Sequence, residues 1–140
     1  MNERSSAPFS KPDKRRGLTM AAGGARGVVL VVDDDPDVRE TIVNMLEPAG
    51  FTVIDAASGR QALDVLERDP TIDILFTDVM MPGISGITLA KKALALRPNL
   101  RVVLTSAYFR EDGEGESLPC LRKPFHGDEL LRAIVGEIPA

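Results

Sequence analysis

The sequence predicts an α/β fold in which a doubly wound parallel sheet is covered by helices on both faces. Short apolar runs alternate with helical patterns from Val28 to the end of the chain. The first run, Val28–Asp33, is apolar up to its last residue, which is typical of a strand buried on both faces. Because parallel neighbours need a crossover between them, alternating strands and helices favour a parallel sheet.

The first helix is predicted between two sets of boundary signals. Asp35 offers an N-cap, and Pro36 suits the first helical position. Pro48 and Gly50 end the helix. The apolar residues that keep helical spacing between these boundaries are Val38, Ile42, Met45, Leu46 and Ala49.

The next elements repeat this arrangement. Phe51–Asp55 is predicted as the second strand, and Ser58 caps the second helix. Ile72–Asp78 is the third strand, and a third helix runs from its Ser85 cap to Pro98.

The last part of the chain adds two strands and a helix. Leu100–Ala107 is predicted as the fourth strand and Leu118–Arg122 as the fifth, with Pro119 favouring a sheet edge. Between them, Tyr108–Pro119 alternates Gly with Glu and has no apolar stripe, so a loop or frayed turn is expected instead of a stable helix. The final helix is predicted from the spacing of Leu130, Leu131, Ile134, Val135 and Ile138.

Charge and composition divide the chain into two parts. Residues 1–26 hold six basic and two acidic residues among Ser, Pro, Gly and Ala, and are predicted to be a disordered basic tail. Residues 27–140 form the predicted domain, whose net charge is −8 because the whole chain carries −4. An acidic domain argues against nucleic acid as a partner, and no apolar run approaches the ~20 residues of a membrane span. The single cysteine, Cys120, fits a cytoplasmic location.

Polar residues follow four of the predicted strands at the edge where function gathers in such sheets. Asp33 and Asp34 end the first strand, Asp78 the third and Ser106 the fourth, and Lys123 follows the fifth. Clustered carboxylates bind Mg²⁺ through oxygen, which would offset their mutual repulsion. A carboxylate beside Mg²⁺ can also act as a nucleophile toward phosphorus.

Four motifs stand at these strand ends: "VVDDDPDVR", "FTDVMMPGISG", "LTSA" and "RKPF". In this order they resemble the receiver domain of two-component response regulators, over about residues 27–138. The resemblance implies a flavodoxin-like sheet of five strands in the order 2-1-3-4-5. It also implies a phosphoacceptor that does not turn over a substrate as an enzyme. The phosphoryl group would come from a histidine kinase or phosphotransfer protein, and an unknown downstream protein would be the other partner.

The resemblance further implies roles for individual residues. Asp78 would accept the phosphoryl group and take part in holding Mg²⁺. Asp33, Asp34 and the backbone carbonyl of Met80 would be the other Mg²⁺ ligands. Ser106 and Lys123 would contact the phosphoryl oxygens, and the Lys123–Pro124 peptide bond would be cis.

The sequence departs from the family pattern in two places. The helix between the fourth and fifth strands is expected to be reduced or absent, and Cys120 replaces the usual aromatic switch residue. A phosphoryl group on Asp78 would then draw in Ser106 and order the Tyr108–Pro119 loop. The bulky Met80 and Tyr108 flank the path of the hydrolytic water, so slow self-dephosphorylation is expected.

The acidic motif has other interpretations. An EF-hand is rejected because Val38 and Asn44 stand where that loop needs Gly and Glu. A haloacid-dehalogenase-like phosphatase would use Asp33 as its nucleophile and Asp35 as its acid, but it leaves Asp78 unexplained. A receiver-like binding module without phosphorylation is an alternative, but the full acidic set, Ser106 and Lys123 argue against it. A receiver detached from a hybrid kinase, or one that works as a phosphorelay shuttle, is compatible with the sequence. Asp35 is favoured as a helix cap over a ligand, and Thr105 as an ordinary strand residue.

Overall fold

The computed structural model describes residues 26–107 and 118–136. Five strands are present in this part of the chain: β1 (Val28–Val32), β2 (Thr52–Ala56), β3 (Ile74–Asp78), β4 (Arg101–Ser106) and β5 (Cys120–Arg122). Helices follow β1, β2, β3 and β5 in the described residues: α1 (Pro36–Leu46), α2 (Gly59–Arg68), α3 (Gly86–Leu96) and α4 (Gly127–Val135). The alternation predicted from the apolar runs is therefore confirmed.

The five strands form one sheet in the order β2-β1-β3-β4-β5, with every neighbouring pair parallel. This confirms the order 2-1-3-4-5. The short β5 lies at the edge of the sheet, as Pro119 predicted. All carboxyl ends of the strands point to the same edge, where Asp78 is paired in register with Thr105.

The sheet has a buried core on each face. One core joins Val29, Val31 and Phe76 of the strands to the apolar sides of α1 and α4. The other joins Leu30, Leu75 and their neighbours to α2 and α3. Alternate strand residues thus serve opposite cores, as the pleat of a strand requires.

Three side-chain caps begin helices at the carboxyl edge of the sheet. The Asp35 carboxylate accepts a hydrogen bond from the N–H of Asp37 at 2.9 Å. The Ser58 and Ser85 hydroxyls accept from the backbone N–H of Gln61 and Thr88 at 3.1 and 3.2 Å. The predicted caps are confirmed, and they fix the loops that surround the acidic residues.

Three predictions fall wholly or partly outside the described residues. One is the disordered tail, since the structure describes the chain only from residue 26. A second is the loop or frayed turn at 108–119, of which residues 108–117 are not described. The third is the place of Ile138 in the last helix, since the described residues end at 136. None of the helices in the described part of the chain has the length and apolarity that a bilayer crossing requires.

Candidate functional site

Three carboxylates meet at the carboxyl edge of the sheet. Asp33 and Asp34 follow β1, and Asp78 is the last residue of the neighbouring strand β3. One oxygen from each of the three lies within 4.8 Å of the others. Asp33 and Asp78 are buried, with 2% and 8% of their surface exposed, while Asp34 faces solvent. The structure thus brings together the three acidic residues predicted from the sequence.

Lys123 follows the edge strand β5, and its side chain reaches this acidic cluster. Its Nζ lies 3.3 Å from Oδ2 of Asp33 and 3.5 Å from Oδ2 of Asp78. The backbone N–H of Lys123 donates to the carbonyl of Ser106 at 2.8 Å, which ties the end of β5 to β4. The Lys123–Pro124 peptide bond is cis, as predicted.

The charges of the cluster do not balance. Three carboxylates face one ammonium, which leaves two negative charges in a largely buried site. Burial raises the pKa of Asp78 above its ordinary 3.8, and the Asp33 carboxylate adds to this rise, while Lys123 and the N–H of Met80 oppose it. A divalent cation with oxygen ligands matches this donor set in charge and chemistry, so the site fits Mg²⁺.

The raised pKa of Asp78 has a consequence for stability. An acid whose pKa is higher in the folded protein destabilises that state once it is ionised. We therefore expect Asp78→Asn to increase the free energy of unfolding at neutral pH when no metal is present. The difference should grow as pH rises from 3.8 through the raised pKa, and should be constant above it.

Urea unfolding of both proteins in EDTA, between pH 4 and pH 8, measures this difference. Subtracting the two stability curves cancels the titration of all other groups. A variant less stable than the wild type at pH 7 would show that the Lys123 ion pair outweighs burial and the repulsion from Asp33.

Arg39 supports the acidic turn and was missed in the sequence. Its Nη1 donates to the backbone carbonyl of Asp33 at 2.8 Å, and its Nε donates to Oδ2 of Asp55 at 2.9 Å. The guanidinium therefore holds the turn after β1 against the end of β2. The only signal in the sequence is its place on α1, one turn after the cap of that helix.

The other predicted residues lie around the cluster. Ser106 is buried at the end of β4, and the Met80 side chain is 61% exposed. The N–H of Met80 donates to Oδ1 of Asp78 at 3.3 Å. Asp35 caps α1 and is not a member of the acidic cluster, which agrees with the capping interpretation. Thr105 is a strand residue, as expected.

Comparison with known proteins identifies a family for this arrangement. The family model described as "Response regulator receiver domain" matches residues 29–135. The response regulator receiver protein CpdR of Brucella abortus is 33% identical over 115 residues, which cover 79% of this chain and 92% of CpdR. The chain is also 33% identical to part of the sensor kinase CckA of the same organism, but spans only 14% of its length.

Solved structures show the same architecture. The chemotaxis protein CheY4 of Vibrio cholerae superposes with a TM-score of 0.75 at 27% identity, covering 79% of this chain and 98% of CheY4. The response regulator TrrA of Thermotoga maritima, solved with Mg²⁺ and BeF, superposes with a TM-score of 0.72 at 29% identity, covering 78% of this chain and 96% of TrrA. The sheet order, the acidic edge and these matches together show that the chain belongs to the receiver domain family of two-component response regulators.

Proposed function

We propose that Asp78 is the residue at which this receiver accepts its phosphoryl group. The observation that carries the proposal is the meeting of Asp33, Asp34 and Asp78 within 4.8 Å, with the Lys123 ammonium against two of them. A nucleophilic carboxylate needs a nearby positive charge to neutralise the oxygens of the incoming phosphoryl group. The ammonium of Lys123 supplies a positive charge beside the Asp78 carboxylate.

The same carboxylates are proposed to hold Mg²⁺. Asp33, Asp34 and Asp78 would supply carboxylate oxygens, and the backbone carbonyl of Met80 would supply one more. Bound Mg²⁺ would neutralise negative charge on the transferring phosphoryl group. The relative TrrA was solved with Mg²⁺ and BeF, which supports a cation in this class of site.

The residues of the chain then have separate tasks in the transfer. A carboxylate oxygen of Asp78 attacks phosphorus in line with the bond to the donor, and that bond breaks with its electron pair on the donor. Lys123 and the hydroxyl of Ser106 contact the oxygens that carry the charge. The N–H of Met80 already holds Oδ1 of Asp78, so this contact orients the carboxylate before the donor arrives.

Asp33 is the less suitable nucleophile. Its Oδ1 accepts the N–H of Asp35 at 2.9 Å, and its Oδ2 faces Lys123 at 3.3 Å. Both contacts are shorter than those of Asp78, whose Oδ1 lies 3.3 Å from the N–H of Met80 and whose Oδ2 lies 3.5 Å from Lys123. Asp33 is also less exposed, at 2% against 8% for Asp78. This favours a supporting role for Asp33 and argues against the phosphatase alternative, in which Asp33 would attack.

The wider role follows from the family. We propose a receiver domain at residues 27–140 preceded by a basic tail at 1–26, located in the cytoplasm. Its phosphoryl donor would be a histidine kinase or phosphotransfer protein, and its output would be contact with a downstream protein. Neither nucleic acid nor a membrane is a proposed partner. The domain would accept and slowly lose a phosphoryl group without turning over a substrate as an enzyme does.

Phosphorylation by a small donor tests the proposal. The protein is incubated with acetyl phosphate and Mg²⁺, and its intact mass is measured. We expect one added phosphoryl group on the wild type, none with EDTA and none on Asp78→Asn. Asp64→Asn serves as the control and should gain the phosphoryl group as the wild type does, because Asp64 is an exposed carboxylate on α2 outside the acidic cluster. Phosphoryl gain by Asp78→Asn equal to that of the wild type would refute the assignment.

A further inference from the structure

One buried hydroxyl near the site has no hydrogen-bond partner in the part of the chain that the structure describes. Thr105 is 1% exposed, and its Oγ1 makes no hydrogen bond within residues 26–107 and 118–136. Buried hydroxyls are normally paired, because an unpaired one loses its hydrogen bonds to water without replacement. Thr77, on the neighbouring strand β3, has a paired hydroxyl, since its Oγ1 donates to the carbonyl of Asp78 at 3.0 Å. The unpaired hydroxyl of Thr105 therefore calls for an explanation.

Thr105 lies on the same face of the sheet as the proposed acceptor. Asp78 and Thr105 are partners in the register of β3 and β4. Each follows a residue of the same core by two positions, Asp78 after Phe76 and Thr105 after Val103. Because strand side chains alternate between faces, both side chains project toward α1 and α4.

Lys123 must cross β4 to reach the acidic cluster. It follows β5, whereas Asp78 ends β3 and Asp33 follows β1. In the sheet, β4 lies between β5 and β3. The side chain of Lys123 therefore passes over the end of β4, where Thr105 is the last strand residue on the face that Asp78 shares.

The ammonium of Lys123 has a third hydrogen that does not face Asp33 or Asp78. It carries three donors, of which two face Asp33 and Asp78 at 3.3 and 3.5 Å. When Asp78 forms an acyl phosphate, its carboxyl group loses its negative charge, and the phosphoryl oxygens become the strongest attraction for the ammonium. Because the hydroxyl of Thr105 makes no hydrogen bond within the described residues, it can accept a hydrogen from an ammonium that shifts toward the phosphoryl oxygens without breaking an existing bond.

We propose that Thr105 is a positioning residue for Lys123, with a hydroxyl that is unpaired in the resting protein and accepts from the Lys123 ammonium once Asp78 is phosphorylated. The inference rests on the function proposed above. The unpaired hydroxyl destabilises the resting state, and the new bond stabilises the phosphorylated state, so both effects favour retention of the phosphoryl group.

Three variants and beryllium fluoride as a phosphoryl mimic test this role. Thr105→Val keeps the shape of the side chain and removes the hydroxyl. Thr105→Ser keeps the hydroxyl, and Thr77→Val removes a buried hydroxyl that is already paired. The melting temperature of each protein is measured with Mg²⁺ alone and during titration with beryllium fluoride.

In the resting state, the two valine variants are expected to change the melting temperature in opposite directions. Thr105→Val should raise the melting temperature by roughly 2–4 °C, because it removes an unsatisfied buried group. Thr77→Val should lower it, because it removes a hydrogen bond. Thr105→Val should also weaken the affinity for beryllium fluoride roughly tenfold, the effect of losing one hydrogen bond to a charged group. Thr105→Ser should keep the affinity of the wild type.

Each other outcome has a distinct meaning. If Thr105→Val melts higher but binds beryllium fluoride as the wild type does, the hydroxyl has no role in the phosphorylated state and the inference is wrong. If Thr105→Ser is weakened as much as Thr105→Val, packing of the methyl group is responsible and the inference is also wrong. A wild type that does not respond to beryllium fluoride would overturn the proposed function itself, and the inference with it.

Discussion

Gly86→Ala is expected to destabilise the protein by at least about 3 kcal/mol, because the added methyl group has no space. A Cβ at this position would lie 2.1 Å from the carbonyl oxygen of Asp78 and 2.9 Å from the Cα of Val79. Both are backbone atoms and cannot turn away as a side chain could. The N–H of Gly86 also donates to the carbonyl of Val79 at 2.9 Å, which holds the start of α3 against the end of β3.

The chain offers a matched control for this change. A Cβ added at Gly127, the first residue of α4, would meet no atom within 4 Å. Gly127→Ala should therefore be neutral or slightly stabilising, since Ala favours a helix over Gly. Urea unfolding of the two variants measures the difference. Equal stability would show that α3 can move away from Asp78 at little cost.

Lys123→Met is expected to slow phosphorylation of Asp78 roughly 10²-fold, the usual effect of removing one group that stabilises charge in the transition state. Met keeps much of the length of the side chain and removes the ammonium that lies against Asp33 and Asp78. The rate of phosphoryl gain from acetyl phosphate at saturating Mg²⁺ measures the effect.

Lys92→Met is the control for the change in net charge. Lys92 is exposed on α3, and it is not part of the acidic cluster. Its replacement by Met changes the net charge by the same amount as Lys123→Met. This variant should react at the rate of the wild type. If Lys123→Met also does so, the ammonium stabilises only the resting cluster and takes no part in the transfer.

Local signals in the sequence were sufficient to predict the strands, the helices and their caps, whereas the order of the strands came from the resemblance to the family. The caps at Asp35, Ser58 and Ser85 form as expected because each depends on residues within three positions along the chain. The acidic cluster was predictable for a different reason. Parallel strands place all their carboxyl ends at one edge, so Asp33 and Asp78 had to approach each other once β1 and β3 were neighbours.

Contacts between distant residues could not be predicted in the same way. Arg97 donates to the carbonyls of Ile72, Leu66 and Asp69, which joins the end of α3 to the loop after α2. Arg39 joins the acidic turn to β2 across sixteen residues. An arginine on a helix usually faces solvent, and only the packed structure shows which carbonyls lie within its reach. The unpaired hydroxyl of Thr105 is equally invisible, because Thr is an ordinary strand residue.

The identity of the phosphorylated residue tests the central claim most directly. The wild type is phosphorylated with acetyl phosphate and Mg²⁺, and the acyl phosphate is reduced with borohydride, which converts a phosphorylated aspartate into homoserine. Peptide sequencing by mass spectrometry then locates the changed residue. We expect homoserine at position 78 and unchanged aspartate at positions 33 and 34. Homoserine at position 33 instead would contradict the assignment of Asp78 and restore the alternative in which Asp33 attacks phosphorus.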